Sequence, residues 1–241
     1  MGRNFDELFR IKKPIIGMIH LAGGDTKEKV KRALEELEIY QEEDVNAAII
    51  EDYHGTTNDV LTLLNESAGK FPRLITGVNI LKNPYSSFFI ANHFGVKFVQ
   101  FDSVQETDLV HSKYERLRNR FEDIVVLGGV GFKYTKPAGN HLSYDLYKAS
   151  RKCEAIVTTG DGTGIETPIK KLMDYKKILG SILNKEFPLI VGAGVNLNNV
   201  HEQLEIADGA IVGSYFKNGN TQDPVVRENV RNLMSIVKEM R

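Results

Sequence analysis

The sequence predicts an α/β fold, a single-domain (β/α)₈ TIM barrel. Three observations carry this expectation. Short β-branched runs alternate with amphipathic stretches along the whole chain, eight of each. The runs are apolar almost throughout, as strands buried on both faces of a parallel sheet are. The chemically versatile side chains gather where the runs end, the rim at which barrels of this kind carry their functional groups. The remaining alternative is a doubly wound open sheet, but eight consecutive units argue for closure.

Residues 1–12 stand as an N-terminal extension. The expected strands are Pro14–His20, Ala47–Glu51, Leu74–Ile80, Val96–Asp102, Ile124–Val130, Ala155–Thr159, Pro188–Gly192 and Ala210–Gly213. The helices between them are expected at Thr26–Glu43, Thr57–Ala68, Pro84–Phe94, His111–Phe121, Ser143–Lys152, Thr167–Leu183 and Asn196–Glu205, with Asp223–Met240 closing the chain. In the first, Val30, Ala33, Leu34 and Leu37 share one face. Pro84, Pro168 and Pro224 are expected at first helical positions, Ser143 as a cap and Gly69 as a terminator. Gly131–Leu142 is the longest irregular stretch.

Composition narrows the function. Hydrophobic residues, 41% of 241, suffice for a sizeable core. The formal net charge is −1, which gives no long-range pull toward nucleic acid or anionic lipid. Basic clusters such as Lys27–Arg32 alternate with Glu and read as solvated helix faces. The only cysteine is Cys153, so no disulfide can form within the chain. No apolar run reaches a membrane span, and the charged N-terminus carries no signal core. A cytoplasmic protein without membrane insertion is expected.

The strand ends define a candidate pocket. His20 follows strand 1, Glu51 and Asp52 strand 2, Asn79 strand 3 and Asp102 strand 4. Strand 5 leads to Lys133, and strand 6 to Thr158, Thr159 and Asp161. The opposite rim carries only turn residues such as Asp44–Asn46 and Lys185–Phe187. Glu51 and Asp102 either satisfy buried partners or act as acid and base. Lys133 is an amine for Schiff-base chemistry, a charge for an anion, or a solvated lysine. His20 either caps the interior or polarises a substrate, and Asn79 either ties loops or binds ligand. Among the other histidines, His141 is preferred over His54 and His111 because its loop is long.

Two glycine-rich turns, VGAGV (Val191–Val195) and VGSYF (Val212–Phe216), follow strands 7 and 8. In this fold those loops often hold a phosphate through exposed backbone N–H groups. Gly192, Ala193, Gly194, Gly213 and Ser214 form that candidate cradle. Loop 6, TTGDGTGIETP, has the glycine content of a lid, with Asp161 and Thr163 as ligand contacts. No nucleotide-loop, H-E-x-x-H or paired-cysteine motif is present. No cofactor is therefore expected. By residue type alone, His20, Glu51 and Asp102 could hold a divalent cation, and no metal is assigned.

At KPIIGMIHL (Lys13–Leu21) the chain resembles the BtpA family. The likeness continues through IIED (Ile49–Asp52), GVNILKN (Gly77–Asn83), Thr107–Asp108, Lys133, TTGDGTG (Thr158–Gly164), PLIVGAGVNLNNV (Pro188–Val200) and ADGAIVGSYFK (Ala207–Lys217). The resemblance implies a ribulose-phosphate-binding type of barrel. There are departures. AGGD (Ala22–Asp25) stands where family members have a proline-rich loop. GGVGFKY puts Gly129 in place of a strand-5 acid and Tyr134 in place of a histidine. Leu109–Ser112 replaces a glycine-rich motif in loop 4. The expected function is an enzyme acting on a small phosphorylated metabolite, a sugar phosphate or a nucleoside-derived phosphate, by isomerase, epimerase or aldolase chemistry. The alternative is a non-catalytic assembly factor of the photosystem I biogenesis type that the family name implies. A homo-oligomer is expected, as barrels of this type are often dimers.

Overall fold

The computed structural model describes residues 4–135 and 141–241. Eight parallel strands close into a barrel in chain order. They are β1 (Ile15–Ile19), β2 (Ala47–Glu51), β3 (Ile75–Asn79), β4 (Phe98–Phe101), β5 (Val125–Gly129), β6 (Ala155–Thr158), β7 (Leu189–Val191) and β8 (Gly209–Val212). The ring is completed where β1 pairs with β8, Ile16 opposite Ile211. Eight helices surround it: α2 (Thr26–Glu42), α3 (Thr57–Ser67), α4 (Ser86–Phe94), α5 (His111–Arg120), α6 (Leu142–Ser150), α7 (Ile169–Leu183), α8 (Val200–Ile206) and α9 (Arg227–Glu239). A further short helix, α1 (Phe5–Phe9), lies in the N-terminal extension.

Period-two alternation sorts the side chains. Ile16, Met18, Ala47, Ile49, Val125, Leu127, Ala155, Val157, Ile190 and Ile211 fill the barrel interior. Their neighbours, such as Ile15, Ile19, Ala48, Ile50, Val126 and Ile156, pack outward against the helices. Phe98 is the largest strand residue inside, and Gly77 makes its room: a Cβ there would stand 2.3 Å from the Phe98 ring. At the N-terminal mouth, Phe5 and Phe9 of α1 close the interior. Phe9 lies 6.0 Å from Phe98, ring to ring, and both α1 phenylalanines belong to the interior cluster. Asn4 starts α1 by accepting from the Glu7 N–H at 2.8 Å.

Two helices begin four residues later than the sequence suggests. After β7, residues 196–199 form a turn and α8 starts at Val200. The Asn199 side chain accepts the Asn196 N–H at 2.9 Å, so the asparagines bind loop backbone instead of extending the helix. Before α9, residues 223–226 are non-helical because Val226 donates to the Phe216 carbonyl at 2.7 Å and Val225 is buried. Pro84, Pro168 and Pro224 thus precede their helices, and α6 starts at Leu142, leaving Ser143 inside its first turn. A 3₁₀ turn, Ser214–Lys217, follows β8. Part of the long loop after β5 lies outside the described residues. Among the described residues, no helix is long and apolar enough to cross a membrane.

Because Phe9 corks the interior, Phe9→Ala is expected to destabilise the fold by about 3 kcal/mol. Urea unfolding reads this directly, and an unchanged midpoint would mean that α1 only rests on the surface.

Candidate active site

The same alternation that fills the barrel also builds the site. Continuing inward along each strand, the last residues at the C-terminal rim are His20, Glu51, Asn79, Gln100 with Asp102, Gly129, Thr159, Gly192 and Gly213. A cavity there is lined by Met18, His20, Glu51, Gln100, Phe132 and Lys133 below. Thr163 and Gly164 of loop 6, Gly192–Gly194 of loop 7 and Gly213–Ser214 of loop 8 complete it.

Asn79 organises the carboxyls. Its amide donates one N–H to Glu51 Oε1 at 2.8 Å and the other to Asp102 Oδ1 at 2.9 Å. Gln100 Nε2 also donates to Asp102 Oδ1, at 3.0 Å. Burial, aided by the charge of Asp102, pushes Glu51 up to about 8, against the pull of the Lys133 ammonium. Asp102 is raised as well, by burial, against the Asn79 and Gln100 hydrogen bonds. The two carboxyls face different spaces. Glu51 lines the cavity just described, whereas Asn79 and Asp102 line a neighbouring one. An amide N–H pair between two carboxyls is the reverse of what a cation needs. Among the described residues, no three His, Cys, Asp or Glu side chains form a cation site.

His20 is buried, and its Nδ1 has no partner among the described residues. Burial, then the Lys217 and Lys133 charges, hold it well below the usual histidine range, so the ring is neutral at pH 7. Gln100 Oε1 is likewise buried without a partner. Lys133 is half-buried at the rim, and its backbone N–H donates to Thr159 Oγ1 at 2.6 Å.

Loop 6 covers the cavity. Thr163 Oγ1 meets Tyr53 Oη at 3.3 Å, and the Thr163 N–H donates to Tyr134 Oη at 3.1 Å. The far end of loop 6 rests on loop 7, where a Cβ on Gly194 would stand 2.3 Å from Glu166 Cα. Closed in this way, the cavity holds about 30 Å³, room for water but not for a phosphorylated metabolite. On its other side, Gly164, Gly194 and Ser214 also line an adjoining cavity of about 370 Å³.

Several sequence candidates are placed differently. The Thr159 hydroxyl is spent on the Lys133 N–H and on the Gly160 carbonyl, which it reaches at 2.8 Å. Asp161 is exposed and absent from the cavity wall. The Gly192 N–H donates to the Thr158 carbonyl at 2.8 Å, so it is not free for an anion. The helix start expected at Asn196 is displaced to Val200, which takes its field away from the turn. Among the described residues, the N–H groups of Ala193, Gly194, Gly213 and Ser214 make no turn or loop hydrogen bond. His141 is exposed at the start of α6, while His54 Nε2 pairs with Thr221 and His111 Nε2 with the Glu106 carbonyl. Asp52 accepts the Leu81 N–H at 2.8 Å and ties loops 2 and 3.

Sequence reasoning missed Gln100 and Tyr53. Gln100 stands two residues before Asp102, so alternation alone could have found it. Tyr53 depends on the path of loop 2, which no local pattern encodes. Gly129, where the resembled family carries an acid, has a plain steric cause here: a Cβ would lie 1.9 Å from the Asp102 carbonyl oxygen.

The Glu51 proton has a measurable consequence. With a folded value near 8 against 4.5 unfolded, the folded state holds an extra proton between those pH values, so stability falls as pH rises through that window and levels off above it. Glu51→Gln is expected to flatten this slope, gaining on the order of a few kcal/mol relative to wild type by pH 8. Parallel pH–stability curves for the two proteins would mean that Glu51 is ionised at neutral pH.

Comparison with known proteins agrees with the sequence motifs. The BtpA family pattern matches residues 11–239. A Pyrococcus horikoshii protein described only as uncharacterised is 29% identical, over 95% of this chain and 97% of its own length. The Synechocystis photosystem I biogenesis protein BtpA is 24% identical, over 91% of this chain and 86% of its own. Among solved structures, phosphoribosyl anthranilate isomerase from Thermus thermophilus superposes with a TM-score of 0.63 at 14% identity, covering 95% of this chain and all of the other. Thiamine phosphate pyrophosphorylase from Pyrococcus furiosus also gives 0.63, at 15% identity and 94% and 96% coverage. At such identities the structural likeness speaks for the fold. The family pattern, spanning nearly the whole chain, says more: this chain belongs to the BtpA family.

Proposed function

We propose that the protein is an enzyme acting on a small phosphorylated metabolite by proton transfer next to a carbonyl, as in isomerisation, epimerisation or aldol cleavage. The observation that carries this reading is Glu51, a buried carboxyl that its surroundings push up to about 8, in a cavity that Lys133 also lines. A neutral buried acid beside a fixed cation suits general acid–base catalysis, since it can give a proton to a developing oxyanion that the cation stabilises. In this reading the N–H groups of Ala193, Gly194, Gly213 and Ser214 hold the phosphate. Glu51 moves the proton, Lys133 steadies the enolate oxygen, and neutral His20 donates or accepts a hydrogen bond. The unpaired Gln100 Oε1 takes a substrate hydroxyl. Asp102, which opens on the neighbouring cavity, is assigned ligand contact instead of proton transfer. The phosphate ligands in the names of the structurally similar isomerase and pyrophosphorylase support the choice of substrate class.

The test is a thermal-shift titration with inorganic phosphate and a panel of sugar and nucleoside phosphates. A ligand bound at 100 times its Kd should raise stability by about 2.7 kcal/mol. Ser214→Glu puts a carboxylate in the proposed cradle and is expected to abolish the shift while the protein stays folded. Gly194 is a poor site for this test, because its φ of 73° and its contact with Glu166 make any side chain disruptive there. No shift with any phosphate compound would overturn the reading and favour the assembly role in the Synechocystis relative's name.

A further inference from the structure

The neighbouring cavity differs from the first in size and in charge. It holds about 320 Å³, within the range of small-molecule sites. Its apolar walls are Leu81, Pro84, Phe101, Leu109 and Tyr134, and its polar side chains include Asn79, Asp102, Ser103 and Asp108; Asp108 Oδ2 accepts the Ser103 hydroxyl at 2.5 Å and holds the carboxylate in place. Among the described residues, no Lys or Arg lines it, whereas the first cavity has Lys133 and a Glu51 carboxyl that burial raises to about 8. The two spaces therefore prefer ligand groups of opposite charge. Both donors recorded at Asp102, Asn79 and Gln100, go to Oδ1, which leaves Oδ2 for a ligand. Tyr134 is an exposed ring at the mouth, placed to cover a flat group.

The partition between the cavities is thin. Below, it is the Asn79 amide, with one N–H toward each carboxyl. Above, it is the hydrogen bond from Thr163, which lines the first cavity, to Tyr134, which lines the second. Loss of that Thr163–Tyr134 bond would open the upper part of the partition.

We propose that the second cavity binds a flat ring bearing an amine, so that the protein's ligand is bipolar, with its phosphate in the first cavity and its amino-ring in the second. The phosphate half rests on the reading given under Proposed function. The ring half rests on the second cavity alone. An exocyclic amine donates to the Asp102 and Asp108 carboxylates, whereas a ring carbonyl at the same place meets them oxygen to oxygen.

Calorimetric titration of the full chain with AMP, IMP, ribose 5-phosphate, adenosine and inosine separates the halves. Adenosine is expected to bind about tenfold more tightly than inosine, and AMP about tenfold more tightly than ribose 5-phosphate, the worth of a hydrogen bond to a charged group. Asp108 is exposed, so Asp108→Lys should fold normally. It should erase both advantages while leaving ribose 5-phosphate unchanged, and the isosteric Asp108→Asn should lose part of them. Equal or absent binding of adenosine and inosine overturns the proposal, as does an adenine advantage that survives Asp108→Lys. If ribose 5-phosphate fails to bind while the adenosine preference stands and falls with Asp108, the phosphate reading is lost and the second cavity is upheld.

Discussion

Closing eight strands into a ring dictates the direction of every second side chain, and the site follows from that constraint. Residues Ile16 and Met18 lead to His20, Ala47 and Ile49 to Glu51, and Phe98 to Gln100 and Asp102. The apolar layers below leave the final polar layer nowhere to turn but toward its counterparts across the mouth. A one-residue slip in register would send Glu51 outward into the helices and bring Ile50 in. The pairing of Glu51 with Asn79 in the β2–β3 ladder is thus a structural requirement before it is a chemical one.

The asymmetry of the mouth has a simple electrostatic basis. A carboxyl in a dry enclosure gives up its charge unless donors compensate it. Glu51 receives one amide N–H and takes on a proton. Asp102 receives two, which work against the rise that burial imposes. One asparagine thereby links two similar residues, each of which opens on its own compartment.

The fold was legible because parallel strands announce themselves twice, once as apolar runs and once as spacing. Helix starts were less legible where asparagines intervene. Asn196 and Asn199 bind the loop's own backbone, and a propensity pattern cannot tell that arrangement from a first helical turn. At the site, the strand-end residues His20, Glu51, Asn79 and Asp102 could be read directly because alternation places them. The loop residues could not. Thr159 looks like a ligand contact in sequence, yet its hydroxyl is consumed by Lys133 and Gly160. The partition between Glu51 and Asp102 was also invisible, since it depends on an amide orientation and on a contact between loops 5 and 6.

Loop 6 in its closed position bears on kinetics as well as on fit. Were loop 6 the gate, ligand would be accepted only during openings, and encounter would be limited by how often Thr163 leaves Tyr53 and Tyr134. The apparent association rate would then reach a ceiling as ligand concentration rises, and the fraction of time spent open would scale the measured affinity. Departure would obey the same clock, so a captured ligand would wait for the same two tyrosines to release one threonine.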